Sequence, residues 1–334
     1  MPGVRIAVIG LGWFGEIHCQ AIAGIPGLEL AALCTRTPER LAELGQKFGV
    51  EKTFTDYHEL LKDPDIDAAS ICTMWDQHTD PALAALAAGK HVFLEKPMAH
   101  TVADCRRICD AAAAAAGNLM VGHICRFNPR YVAAKREIET GSLGKILSLS
   151  ARRNIPAAWT PEILNKIGPI MGDTIHDTDL MLWLTGDTIV SAFAQTVDLR
   201  GRKYPDVGQT MYRFASGASA IIETVWCMPE KTPFAIDERM SIIGSDGFLH
   251  IQDTFPNIGI CDADGFRSPD TTYWPESHGG ALGGALRDEF LYFIRCINEG
   301  RRPDIITPEE SLAAVRTTLA AEESAATGKM VMLD

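Results

Sequence analysis

Val4-Arg5-Ile6-Ala7-Val8-Ile9 runs without interruption into Gly10-Leu11-Gly12-Trp13-Phe14-Gly15. An apolar strand followed by G-x-G-x-x-G at the start of a helix is the pattern of a dinucleotide site. Gly10 permits the tight turn, Gly12 lets the backbone approach a pyrophosphate, and Gly15 lets helix and strand pack closely. The phosphates would meet the free N–H groups and positive end of the helix. A glycine-rich turn alone says little, but a preceding strand and a following helix are the context that gives it meaning.

Downstream, short apolar runs alternate with helical patterns. Strands are expected at Leu28–Cys34, Ala68–Cys72, His91–Leu94 and Leu119–Gly122. Helices fall between them: Pro38–Phe48, one entered through Asp80-Pro81, and an alanine-rich one capped at Thr101-Val-Ala-Asp104. That alternation predicts βαβ units and a parallel sheet. After Phe127-Asn128-Pro129 the texture changes. Strands at Ile146–Arg152, Val190–Val197, Gln209–Phe214 and Ala218–Trp226, and a hairpin joining Met240–Ile243 to Phe248–Ile251, predict a large, mainly antiparallel sheet. The expected architecture is an α/β Rossmann domain over residues 1–123, then an α+β domain with an open sheet over 124–334. Late helices are read at Ala285–Asn298 and Pro308–Glu323.

Composition narrows the function. A net charge of −12 over 334 residues argues against a nucleic-acid surface. No apolar run is long enough for a membrane helix. The chain opens on a strand and a glycine loop, so no signal peptide is expected. The nine cysteines include no C-x-x-C. Cys105 and Cys109 share a helix face without a histidine nearby in sequence. Reduced thiols in a cytoplasmic protein are the expectation, and a metal site is not.

The nucleotide is read at the end of the second strand. NAD sites commonly carry Asp or Glu there for the ribose 2′-OH. Here the stretch is Cys34-Thr35-Arg36, with Arg40 one turn on. Thr35 can donate a hydrogen bond and Arg36 can pair with a 2′-phosphate, which favours NADP over NAD.

With Glu95-Lys96-Pro97 in view, the chain resembles the Gfo/Idh/MocA oxidoreductases, the glucose–fructose oxidoreductase and inositol dehydrogenase group. The shared motifs are the glycine loop, Cys72-Thr73 followed by His78, the run from Ala88 to Pro97, Arg126-Phe127-Asn128-Pro129 and His176-Asp177-Thr178-Asp179-Leu180. The resemblance covers essentially the whole length. It implies an NAD(P)-dependent enzyme acting on a ring hydroxyl or ketone of a sugar, sugar derivative or cyclitol, with an open sheet that makes contacts in a homodimer or homotetramer. It implies Lys96 at the reacting hydroxyl and His176 as acid/base. The cofactor set it suggests is Gly10, Gly12, Trp13, Phe14, Gly15, Thr35, Arg36, Arg40, Cys72, Thr73, His78, Glu95, Lys96 and Arg126. A dinucleotide-binding regulator without turnover is the rival reading; retention of Lys96 and His176 favours the enzyme.

The chain departs from the family pattern in three places. Thr73-Met74-Trp75 stands where Thr-Pro-Asn is common, and Trp13 is bulky for its loop. The aspartate that inositol-dehydrogenase-like members carry four residues before the histidine is Gly172 here, leaving Asp173 three before His176. Helical spacing puts Asp173 near the face of His176 but off its line, so a milder role is expected for it. Asp177 and Asp179 are read as helix-dipole partners; alternation along the strand would put only one of Arg152 and Arg153 inward, and a solvated pair is the expectation. Trp159 and Trp274 are candidates for a sugar face.

Overall fold

The computed structural model describes residues 3–159, 165–252, 258–263 and 265–333. The chain divides into two compact units, 1–127 with 273–312, and 128–272 with 313–334.

The first unit alternates as its sequence predicts: β1 (Val4–Ile9), α1 (Trp13–Ala23), β2 (Leu28–Cys34), α2 (Pro38–Phe48), β3 (Thr53–Phe54), α3 (Tyr57–Leu61), β4 (Ala68–Ile71), α4 (Thr79–Ala87), β5 (His91–Glu95), α5 (Val102–Ala114) and β6 (Leu119–Gly122). The strands lie in the order β3-β2-β1-β4-β5-β6, every pair parallel. Strand order reverses between β1 and β4, the place where such sheets bind ligands at their carboxyl ends. Thr101 caps α5, accepting from the Asp104 N–H at 3.0 Å and donating to its carboxylate at 2.8 Å. α4 starts at Thr79, ahead of the predicted Asp80-Pro81 entry. β3 and α3 are too short to carry a readable period.

This unit extends to Phe127 and takes in residues 273–312, which sequence order assigned to the second domain. The reason is apolar packing. Phe290 stacks on Phe93 of β5 at 4.6 Å between centroids, and Phe293 meets the same ring edge-on.

The second unit contains α6 (Pro129–Glu139), β7 (Ile146–Pro156), a π turn at Ile170–Thr174, α7 (Ile175–Thr185), β8 (Ile189–Val197), β9 (Val207–Phe214), β10 (Ser219–Met228), β11 (Asp237–Gly244), β12 (Phe248–Gln252), and the small ribbon β13 (Ile260–Asp262) and β14 (Gly265–Arg267). After α8 (Gly284–Glu299) of the first unit come α9 (Pro308–Thr327) and β15 (Val331–Met332). Seven strands lie in the order β12-β11-β7-β10-β9-β8-β15. The predicted β11–β12 hairpin is present, with Ile243 opposite Phe248. The sheet is mixed, because β10 runs parallel to β7; strands adjacent in sequence need not be adjacent in space. On one face Tyr212, Ala220, Ile222 and Trp226 are buried, and the Tyr212 hydroxyl lies 2.9 Å from Thr178 of α7. The other face is open: Met211 and Ile221, directly paired, are each 52% exposed.

Candidate active site

The glycine loop is shaped by steric necessity. Gly10 has φ +93°, and a Cβ there would come within 2.6 Å of the Thr73 nitrogen. A Cβ on Gly15 would stand 2.0 Å from the Gly10 carbonyl oxygen. Neither position admits a side chain. Gly12 differs, because open space lies beside it and it caps α1 without a side chain. A cradle over a helix N-terminus that any Cβ would narrow suits a pyrophosphate.

The ends of two neighbouring strands, β4 and β5, carry other motif residues. Cys72 follows β4, its N–H donating to Ile9 at 2.7 Å, and burial pushes its thiol pKa well up. His78 is buried, Nε2 3.0 Å from the Thr73 carbonyl and Nδ1 2.8 Å from that of Pro97. It ties the loop after β4 to the loop after β5, which is the capping role open to it. Burial lowers its pKa against the pull of the two carbonyls. Glu95 turns inward, 3.1 Å from His18 Nε2, while its other oxygen accepts the Lys96 N–H at 3.1 Å. Lys96 itself is half-buried at the end of β5.

Four of the cationic and aromatic candidates acquire particular surroundings. Arg36 is exposed and donates to Gln77 at 3.2 Å. Arg40 is gripped by Glu16 and by Glu43 and donates to the Leu11 carbonyl at 3.1 Å. It buttresses the glycine loop. Arg126 is buried, donating to the Ile305 carbonyl at 2.6 Å and pairing with Glu310 at 3.1 Å. Trp13 is 60% exposed, with Phe14 and Trp274 beside it at 5.6 Å and 6.0 Å. Trp274 thus packs on the glycine loop. The side chain of Trp159 lies outside the described residues.

In the second unit, His176 sits on the first turn of α7, 8% exposed. Its Nε2 is 3.9 Å from Asp173 Oδ1, within ion-pair range and beyond a hydrogen bond. The other carboxylate oxygen accepts the Trp226 indole N–H at 2.7 Å. The three-residue offset therefore does bring the carboxylate toward His176.

Two expectations are corrected here. Arg153 is buried, not solvated: Nε and Nη2 bond both oxygens of Asp177 at 3.1 Å and 3.3 Å, and Nη2 also meets Glu238 at 3.0 Å. Asp177 is likewise an interior ion-pair partner, beyond the helix-dipole role expected of it in the first turn of α7. Its burial pushes its pKa up to about 6, against the pull of Arg153. Only Arg152 faces the open side, toward Glu223 at 3.3 Å. Sequence reading missed Trp226 and Glu238 altogether. They lie 53 and 61 residues beyond Asp173 and Asp177, and no local spacing points to either.

Known proteins resemble this chain over its whole length. Residues 4–123 match the family model for the GFO/IDH/MocA oxidoreductases with an NAD-binding Rossmann fold, and residues 131–250 match the GFO/IDH/MocA C-terminal domain. The chain belongs to the GFO/IDH/MocA family. It is a nicotinamide-dependent oxidoreductase. A myo-inositol 2-dehydrogenase of Thermotoga maritima is 29% identical, with 99% of each chain covered. A Bacillus subtilis scyllo-inositol 2-dehydrogenase (NAD(+)) is also 29% identical, over 99% of this chain and 96% of that one. The scyllo-inositol dehydrogenase of Lactobacillus casei, solved with NAD(H) and scyllo-inositol, superposes with a TM-score of 0.86 at 25% identity, covering 99% of both.

Proposed function

We propose that this member of the family transfers a hydride between nicotinamide and a ring CH–OH of a cyclitol or sugar, inositol-like polyols first among them. The observation that carries the reading is the crevice of the first unit, where the glycine loop, Thr73 and Lys96 stand at the carboxyl ends of three adjacent strands. The inositol dehydrogenases among its relatives support the substrate class.

A bound nicotinamide supplies the hydride acceptor for alcohol oxidation. The protein must then take the hydroxyl proton and stabilise charge on oxygen. His176 accepts the proton, as an imidazole with working range near neutrality can. Lys96, as an ammonium, stabilises developing alkoxide. Asp173 favours the imidazolium that results. In the reverse direction His176 returns the proton to the new alkoxide.

The finer cofactor reading is NADP(H), supported by the lack of a carboxylate in Cys34-Thr35-Arg36 and by the exposed Arg36. The open face of the second sheet, with its Phe193, Met211 and Ile221 stripe, supports a homodimer or homotetramer joined there. Nine thiols without a disulfide support a reducing, cytoplasmic setting; among the described residues no helix is long and apolar enough to cross a membrane.

The test is a panel of inositols, sugars and sugar acids with NAD⁺ and NADP⁺, followed by nicotinamide absorbance. Turnover of a cyclitol or sugar that is lost in His176→Ala is expected. Tight cofactor binding with no turnover of any polyol would favour the regulatory reading.

A further inference from the structure

The π turn that carries Asp173 is tied to β10 at two neighbouring points. Thr174 Oγ1 lies 2.7 Å from Thr224 Oγ1, and Trp226 Nε1 donates to Asp173 Oδ2 at 2.7 Å. Thr224 and Trp226 are two apart on a strand, so they share its buried face. Trp226 is itself anchored. Its N–H donates to the Asp206 carbonyl at 2.8 Å, its carbonyl accepts from Arg200 at 3.0 Å, and only 3% of it is exposed. Its indole edge also covers Gly172. A Cβ there would lie 2.4 Å from Cη2 and 2.6 Å from Cζ2. With this ring in place no carboxylate can stand at 172, and the same ring grips the one at 173.

We propose that Trp226 is a positioning residue, whose indole N–H fixes Asp173 so that its second oxygen faces His176 Nε2. The inference rests on the reading of Asp173 and His176 as the acid/base pair. Asp173 has 18% of its side chain exposed. Without the indole N–H it would turn one or both oxygens toward water, and its attraction for an imidazolium would be screened. A hydrogen bond to a charged acceptor is strong enough and directional enough to hold one rotamer.

Among the described residues, charged groups near this turn have partners of their own, Asp206 of the loop before β9 pairing with Arg200 at 2.8 Å. Asp177 and Asp179 share α7 with His176, and Arg153 of β7 and Glu238 of β11 lock Asp177. Glu322 of α9 accepts the Met171 N–H, and its burial raises its pKa to about 7. Lys135 of α6 donates to the Trp183 carbonyl, toward the far end of α7. Trp226→Phe removes the indole N–H and keeps an aromatic, apolar side chain on the buried face of β10.

The experiment is an NMR titration of the His176 imidazole in the full chain, assigned with His176→Gln. It compares wild type, Trp226→Phe, Asp173→Asn and the double variant. Asp173→Asn is expected to move the midpoint to lower pH by about 1 unit, the scale of a lost neighbouring charge. Trp226→Phe is expected to move it the same way by at least half as much, and the double variant no further than Asp173→Asn. A wild-type midpoint in Trp226→Phe, or a double variant equal to the sum, would overturn the proposal. So would a Trp226 indole proton whose resonance stays put in Asp173→Asn, a readout that needs no substitution at 226. Turnover is measured separately. If His176→Ala oxidised polyols as fast as wild type, the catalytic reading would fail while the titration still judged the positioning.

Discussion

Arg153 and Asp177 form a two-bond ion pair in the interior of the second unit, and Glu238 shares the same guanidinium. Burial raises the Asp177 pKa to about 6 against the pull of Arg153, and the second carboxylate, Glu238, adds to the rise. Between roughly pH 4 and 6 the folded state holds a proton that the unfolded chain has released. The stability this proton contributes is full below about pH 4 and lost as pH rises through about 6. The stability of wild type relative to Asp177→Asn should therefore fall across that window and level off above it. Arg153→Met, which strands two carboxylates, should cost more at neutral pH than Asp177→Asn, by several kcal/mol on the usual scale for breaking a buried pair. Urea unfolding of the three proteins from pH 4 to 8 measures both. An Asp177→Asn curve parallel to wild type throughout would remove the argument.

Lys96→Met should bind nicotinamide cofactor almost normally and lose turnover by ~100-fold or more, as expected for a positioned proton or oxyanion partner. Cofactor binding followed by tryptophan quenching and steady-state kcat together decide this. Near-normal turnover would make Lys96 a structural lysine.

Thr35→Asp should shift preference toward NAD(H), since a carboxylate there accepts from a ribose 2′-OH and repels a 2′-phosphate. Arg40→Ala should weaken both cofactors together, because Arg40 braces the loop through Leu11 and Glu16. Titrations with NAD(H) and NADP(H) check each variant. Clear preference for NAD(H) in wild type would overturn the NADP assignment.

His176→Ala should reduce alcohol oxidation by ~100-fold or more, and Asp173→Asn by closer to ~10-fold. The difference follows from the 3.9 Å gap, which allows charge interaction but no direct hydrogen bond. The pH profile of kcat/KM for both variants is the measurement. Equal losses would make Asp173 a full partner in the proton transfer.

The chain should be a dimer or tetramer at micromolar concentration. Met211→Glu with Ile221→Glu, placed side by side on the open face, should shift it toward monomer. Light scattering reports the mass. A monomeric wild type would dispose of the oligomer reading.

The first unit was legible because its signals are local. A six-residue strand, three glycines at fixed spacing and alternating βα texture lie within a few residues of the chemistry they announce. The end of β5 was equally readable, and Thr101 and Asp104 announced the start of α5. The sequence by itself thus determined the Rossmann order and the cofactor class, and it put Lys96 and His176 forward as candidates. Tertiary structure decided what those identities mean in place. Residues 273–312 joined the first unit because Phe290 and Phe293 needed the ring of Phe93. Arg153 went inward because β11 and α7 each brought a carboxylate to it. Asp173 turned toward His176 because an indole on β10 holds one of its oxygens and fills the space over Gly172. Each of these depends on partners 24 to about 200 residues away. Local periodicity carries no information about such partners, since burial and pairing energies act between surfaces that only folding brings together.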